Sequence, residues 1–191
     1  ILPDAMRAVS SIFWGILGII FVASLFSFIF WLMGAVGVYR MGRALNVPVP
    51  WLSFIPWGET YALGRIAQTP AYGKKPLKYG ILLIIFRAVA TFAALYGYFS
   101  LISNFLAYSD VLLSAYLSPV LLLRIYSGMI WGVVLALIFG VTYTVFYYIS
   151  LYKIYKIFAP DNAAILLVVS IFFDFTVPVI LFCIRNKAPM G

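Results

Sequence analysis

The chain has 191 residues, of which 65% are apolar, 19% aromatic and 9% charged, and its mean hydropathy is +1.10. A soluble globular domain carries about 25% charged residues, so a water-soluble fold is close to excluded. Thirteen Lys and Arg against five Asp and Glu give a net charge of +8. These cations sit at the ends of apolar runs, which points to chain orientation and anionic headgroups rather than to nucleic acid. Histidine is absent, which removes the commonest metal ligand and general base together. The one cysteine, Cys183, lies in an apolar run and permits no intrachain disulfide.

In chain order, the first apolar run covers residues 8–39, between Arg7 and Arg40. It exceeds a signal-peptide core of about 7–15 residues and no small-x-small site follows it, so it reads as a spanning helix that is retained. It continues as a helical turn through Tyr39, Arg40 and Arg43 until Asn46, Pro48 and Pro50 end it. Residues 51–67 are apolar but broken by Pro56 and Gly58 and charged by Glu59 and Arg65. They are expected to lie in the interface or to dip in and return, with Trp51, Trp57 and Tyr61 at headgroup level. A polar loop over 68–78 carries Lys74, Lys75 and Lys78. Residues 79–106 form a second span with Arg87 inside it, and 111–123, with Pro119, are too short to cross and read as interfacial or re-entrant. A third span covers 125–152. After a turn at Pro160, Asp161 and Asn162, a fourth covers 163–184 with Asp174 near its middle and Pro178 beyond. The expected fold is one all-α transmembrane domain over 1–191, with about four transmembrane helices and one or two interfacial or re-entrant segments.

Four spans place both termini on one side. The loops between spans one and two and between three and four hold most cations, so the positive-inside rule puts both loops in the cytoplasm and both termini outside. If 163–184 instead folds as a hairpin around Asp174 and Pro178, the C-terminus is inside.

The ends of spans one and three are alike. Tyr39-Arg40-Met41-Gly42-Arg43 and Tyr152-Lys153-Ile154-Tyr155-Lys156 each close a long apolar helix, and each leads into an apolar segment with one carboxylate, Glu59 or Asp174. Either these are copies of a parallel repeat or they show only how helices commonly leave a membrane. The first copy, Arg43-Ala44-Leu45-Asn46, Trp51-Leu52-Ser53-Phe54-Ile55-Pro56 and Tyr61-Ala62-Leu63-Gly64-Arg65-Ile66-Ala67, resembles a motif of small, uncharacterised bacterial multi-pass membrane proteins, some joined to signal-peptidase-like domains. That motif has an Asn where Gly58 and Glu59 stand here. The resemblance covers about 25 residues, and it implies a bacterial inner-membrane location and no particular activity.

Arg87 and Asp174 lie about 12 and 18 Å into their spans at 1.5 Å per residue. An unpaired charge at mid-bilayer costs roughly 3 kcal/mol or more, so Arg87 is expected to face the interior and pair with Asp174 or Glu59. These three residues are either a site for a proton, ion or anionic group or a structural ion-pair set. Arg40, Arg43, Lys74, Lys75 and Lys78 form a basic cluster suited to anionic lipid or a partner. Tyr143, Phe146, Tyr147 and Tyr148 form an aromatic face for packing or for a flat ligand. Gly128, Gly132 and Gly140 suggest a close helix–helix contact. Nucleotide-loop and metal-cluster motifs are absent, and no Ser and Lys share a span. The sequence therefore favours a non-catalytic integral membrane subunit or interaction module, without cofactor or metal, associated with lipids and with other membrane subunits or itself. The alternative is a small transporter, channel or substrate-binding membrane component that uses Arg87, Asp174 and Glu59.

Overall fold

The computed structural model describes residues 2–68, 78–108 and 118–189. Helix α1 covers Leu2–Ala44, α2 Gly58–Ile66, α3 Tyr79–Ala107, α4 Pro119–Phe158, α5 Ala163–Phe172 and α6 Val177–Ile184, with short 3-10 turns at Pro50–Phe54, Pro160–Asn162 and Asp174–Thr176. Three helices are long and apolar enough to cross a membrane: Phe13–Ala44 within α1, all of α3, and all of α4.

Two sequence expectations are corrected. Residues 119–123 are not a separate interfacial piece but the first turn of α4; residues 111–117 lie outside the described residues. Ser118 caps this helix by accepting from the Leu121 amide at 3.2 Å, and Pro119 stands at the first helical position, where its missing N–H costs nothing. The fourth span is not one continuous helix. Proline at 178 lacks an N–H and would clash with the carbonyl of residue 174 in a through-going helix. The chain therefore stops at Phe172, turns through Asp174–Thr176, with the Thr176 hydroxyl bonded to the Phe173 carbonyl at 2.7 Å, and restarts at Val177.

The direction of the two halves follows from their contacts. Helix α5 runs antiparallel to α4: the Tyr155 hydroxyl meets Ser170 Oγ at 2.8 Å, and Tyr148 meets Asp174. Helix α6 runs parallel to α1: Pro178 lies by Gly34, Leu181 by Gly37, and Asn186 accepts from Arg40 at 2.9 Å. The ends of α1 and α4 stand at the same end of the molecule, so α5 leaves that end and α6 returns to it. Segment 160–184 is a hairpin.

Segment 50–66 does the same. Its first limb descends antiparallel to α1, with Pro50 by Gly42, the Phe54 ring 5.4 Å from that of Tyr39, and Glu59 by Gly34. Its second limb, α2, climbs back until Gly64 meets Gly80 and Ile66 reaches Gly42. The reversal is tight enough to hold Trp57 at φ 70. The same parts therefore occur twice in the same orientation: a long helix, then a returning hairpin with a carboxylate beside its tip.

These hairpins join α1 to the antiparallel pair α3–α4, and the buried core, including Val38, Met41, Leu63, Leu83, Leu151 and Tyr155, gathers among them. Beyond the hairpin tips α1 stands apart: every described side chain from Phe13 to Ile29 is exposed. The α3–α4 pair closes along Gly97 and Gly132, and Asn104 donates to the Ile125 carbonyl at 3.1 Å. Gly128 meets Ser100, and among the described residues nothing lies within 4 Å of a Cβ placed on Gly140.

Tyr155 and Ser170 are buried and satisfy each other. A buried hydroxyl left unpaired costs about 1–3 kcal/mol. Ser170→Ala is expected to lower thermal stability by that order, whereas Ser170→Ala with Tyr155→Phe recovers most of the loss; equal melting of the single and double variants would refute the pairing.

Candidate binding site

The hairpin tips deliver Glu59 and Asp174 to one depth. Helix α3 brings Arg87 there, eight residues or about 12 Å in from its start, and α4 brings Tyr143, Thr144, Tyr147 and Tyr148. Together with Ser27 and Trp31 of α1 they line a cavity of about 560 Å³ between α1 and the α3–α4 pair. A neighbouring space that shares Ser27, Trp31, Glu59 and Arg87 extends it past Pro56 and Trp57.

Arg87 does not form the direct ion pair that the sequence suggested. Its guanidinium donates to the Thr60 hydroxyl at 2.5 Å and lies 5.9 Å from the centre of the Tyr143 ring. This leaves it half-buried at the wall of the cavity, and its charge reaches Glu59 through space. Burial pushes the Glu59 carboxyl up to about 7, with Arg87 pulling the other way. Gly34 makes room for this carboxylate: a Cβ there would lie 2.9 Å from Glu59 Oε1 and 3.3 Å from Pro178 Cβ. Both hairpins thus meet α1 at this glycine. Across the cavity, Tyr148 donates to Asp174 Oδ1 at 3.3 Å.

The three residues expected to form an intramembrane charge site are therefore together. The aromatic face of α4 joins them, except for Phe146, which stacks on Phe86 with centroids 5.6 Å apart. Thr60, Ser27 and Trp31 were not singled out from the sequence, and Pro178 was named there only as a break in the fourth run. Ser24 and Ser27 were the available signal, the only serines between Phe13 and Tyr39 and one helical turn apart. The described members of the basic set each have their own surroundings. Arg40 bonds Asn186, Arg43 sits 6.0 Å from the Tyr39 ring centre, Lys78 precedes α3, and Lys74 and Lys75 lie outside the described residues. Among the described residues no group of three or more His, Cys, Asp or Glu is arranged to hold a metal.

Chemically, the cavity presents one fixed cation and two carboxylates on separate elements, with hydroxyl and aromatic surface between them. Such a wall suits non-covalent recognition of a small polar molecule that carries both charges. A scan against protein-family models, a search of curated proteins and a search of solved structures each return no match, so the functional reading of this chain rests on its own geometry.

Proposed function

We propose that the chain is a non-catalytic substrate-binding or transport component of a membrane, and that its ligand is a small solute with both an anionic and a cationic group. The observation that carries this reading is the convergence of Arg87, Glu59 and Asp174, from three separate elements, on one cavity of about 560 Å³. A purely anionic ligand would face two carboxylates, and a purely cationic one would face Arg87; a zwitterion places each charge against its opposite. The broken hairpins fit the same role, because transporters commonly place sites at discontinuous helices near mid-membrane.

In this reading the hairpin end faces the cytoplasm, in a bacterial inner membrane. Arg40, Arg43, Arg65, Lys78, Lys153, Lys156, Arg185 and Lys187 all stand at that end, whereas Arg124 lies at the other. The positive-inside rule then sends the N-terminal end of α1 outward and leaves the C-terminal hairpin's return on the inner side.

The test is a thermal-shift screen of the protein in lipid nanodiscs against amino acids and betaine, with ethanolamine and acetate as single-charge controls. The expected result is stabilisation by at least one zwitterion and by neither control, lost in Arg87→Ala and reduced in Asp174→Asn. The reading fails if no zwitterion stabilises the protein or if stabilisation survives both substitutions.

One observation favours a second reading, a subunit of a larger complex: every described side chain of the apolar stretch Phe13–Ile29 is exposed. Stoichiometric partner chains recovered in mild detergent would support that reading, and recovery of the chain alone or with lipid only would end it.

A further inference from the structure

The charged cavity has apolar mouths. The two spaces that meet at Ser27, Trp31, Glu59 and Arg87 have exposed apolar residues at their rims: Phe28, Pro56 and Trp57 beside the first hairpin, and Phe175 in the turn of the second. Every described side chain of α1 from Phe13 to Ile29 is exposed, so beyond the hairpin tips this helix leaves the face of the α3–α4 pair open. Further along that pair lies an apolar groove of about 370 Å³, lined by Ala94, Tyr98 and Leu101 of α3 and by Met129, Val133 and Ala136 of α4. Ala94, Tyr98 and Leu101 follow Arg87 by 7, 11 and 14 residues, the spacing of one helix face. On α4, Ala136 and Met129 precede Tyr143 by 7 and 14 residues. The groove therefore continues the face that carries Arg87 and Tyr143, and it runs from about 10 to about 21 Å beyond Arg87 at 1.5 Å per residue.

A charged recess in line with an apolar groove matches an amphiphile better than a free solute. We propose that the ligand of the cavity is a phospholipid with a zwitterionic headgroup, its phosphate at Arg87, its ammonium towards Glu59 and Asp174, and an acyl chain along Ala94 and Ala136. This rests on the reading of the cavity as a site for a doubly charged molecule and names the class of that molecule. The direction of the groove fits: it leads away from the hairpin end, as do the tails of a lipid in the leaflet at that end. A headgroup drawn in to the depth of Arg87, about 12 Å from the start of α3, leaves water but meets a counter-charge for each of its own. An anionic lipid would bring net negative charge against two carboxylates. A soluble zwitterion would fill the recess and leave the groove unused.

Native mass spectrometry of the protein released from nanodiscs tests it, using equal amounts of phosphatidylethanolamine and phosphatidylglycerol with identical acyl chains. The wild type is expected to retain phosphatidylethanolamine in preference. Asp174→Asn, at an exposed position, should lower that retention about tenfold, the loss of one hydrogen bond to a charged group. Ala94→Trp, which fills the groove from an exposed position and leaves the cavity intact, should abolish the preference. A parallel arm adds glycerophosphoethanolamine, the same headgroup without acyl chains, to the protein in phosphatidylglycerol nanodiscs and reads its melting temperature. A lipid preference lost in both variants supports the proposal. Equal retention of the two lipids, with stabilisation by glycerophosphoethanolamine in the wild type and in Ala94→Trp, overturns it and leaves the solute reading standing. Equal retention with no response to glycerophosphoethanolamine counts against both. A preference that survives either substitution places the lipid elsewhere and also overturns the proposal.

Discussion

Gly132→Val is expected to abolish recovery of folded protein, and Gly140→Val, eight residues along the same helix, to leave it unchanged. A Cβ on Gly132 would lie 2.5 Å from Gly97 Cα, 2.7 Å from its amide nitrogen and 2.8 Å from the Ala93 carbonyl oxygen. All three atoms are backbone, so no rotamer change makes room and α3 must move away from α4. Between helices in lipid there is little hydrophobic drive to hold them together, and association rests on close dispersion contact and interhelical hydrogen bonds. A gap of even 0.5–1 Å forfeits roughly a quarter to a half of that dispersion well. Separation would also weaken the Asn104 bond to the Ile125 carbonyl and the Phe86–Phe146 stack. Overpacking alone costs about 1–3 kcal/mol, and here it acts along the main contact of two helices that are long and apolar enough to cross a membrane. At Gly140 nothing stands within 4 Å of the added atom. Gly128→Ala is intermediate, because the obstacle is the Ser100 side chain, and Ser100→Ala should restore it in part. Fluorescence-detected size exclusion followed by a thermal melt reads all of these, and a monodisperse, wild-type melt for Gly132→Val would show that α3 and α4 are not packed at this seam.

The glycine pair also shows where the sequence was informative and where it stopped. A G-x-x-x-G spacing marks a surface that another helix can approach, but it does not say which glycines are used. Gly132 pairs with Gly97 because antiparallel register puts them opposite, and register belongs to the pair of helices. Of the four spans expected from long apolar runs, three are helices long and apolar enough to cross a membrane, since length and hydropathy depend on composition alone. The fourth run was ambiguous for a physical reason. Its residues are apolar enough to span, and only Pro178 and Asp174 break it, so its direction of return depends on the contact of α6 with Gly34 and Gly37 of α1. Sequence could nominate Arg87, Glu59 and Asp174 as costly charges. It could not foresee that Thr60, adjacent to Glu59 in the chain, would take the Arg87 bond, because that requires knowing that α2 climbs back alongside α3. The start of α4 lies earlier than the expected 125, at Ser118-Pro119, which is a helix-start signal; the expectation rested on the shortness of 111–123 instead.

Glu59 should make the protein less stable as pH rises, and Arg87 should limit that loss. In the folded state burial pushes the Glu59 carboxyl up from its ordinary 4.5 to about 7, with Arg87 opposing. A group whose folded value is raised holds its proton more tightly when folded. Its contribution is therefore fully present below about 4.5 and lost as pH climbs through about 7. At 1.36 kcal/mol per unit the whole effect is at most about 3.4 kcal/mol, and less where water enters the cavity. Wild-type melting temperature is thus expected to decline across this window, and Glu59→Gln to flatten the decline. Arg87→Met should do the opposite. It removes the charge that favours ionised Glu59, leaves two carboxylates facing one cavity, and takes the donor from Thr60. Removing one member of a buried charged group costs about 3–5 kcal/mol when water is excluded; in this partly open cavity about 2 kcal/mol at neutral pH is the corresponding loss. The decline should also extend to higher pH than in the wild type. Glu59→Gln combined with Arg87→Met should then recover part of the loss, because the uncompensated charge is gone. A membrane protein in which the three charges were independently solvated would show neither the slope nor the rescue, and the convergence at the hairpin tips would then carry no electrostatic coupling.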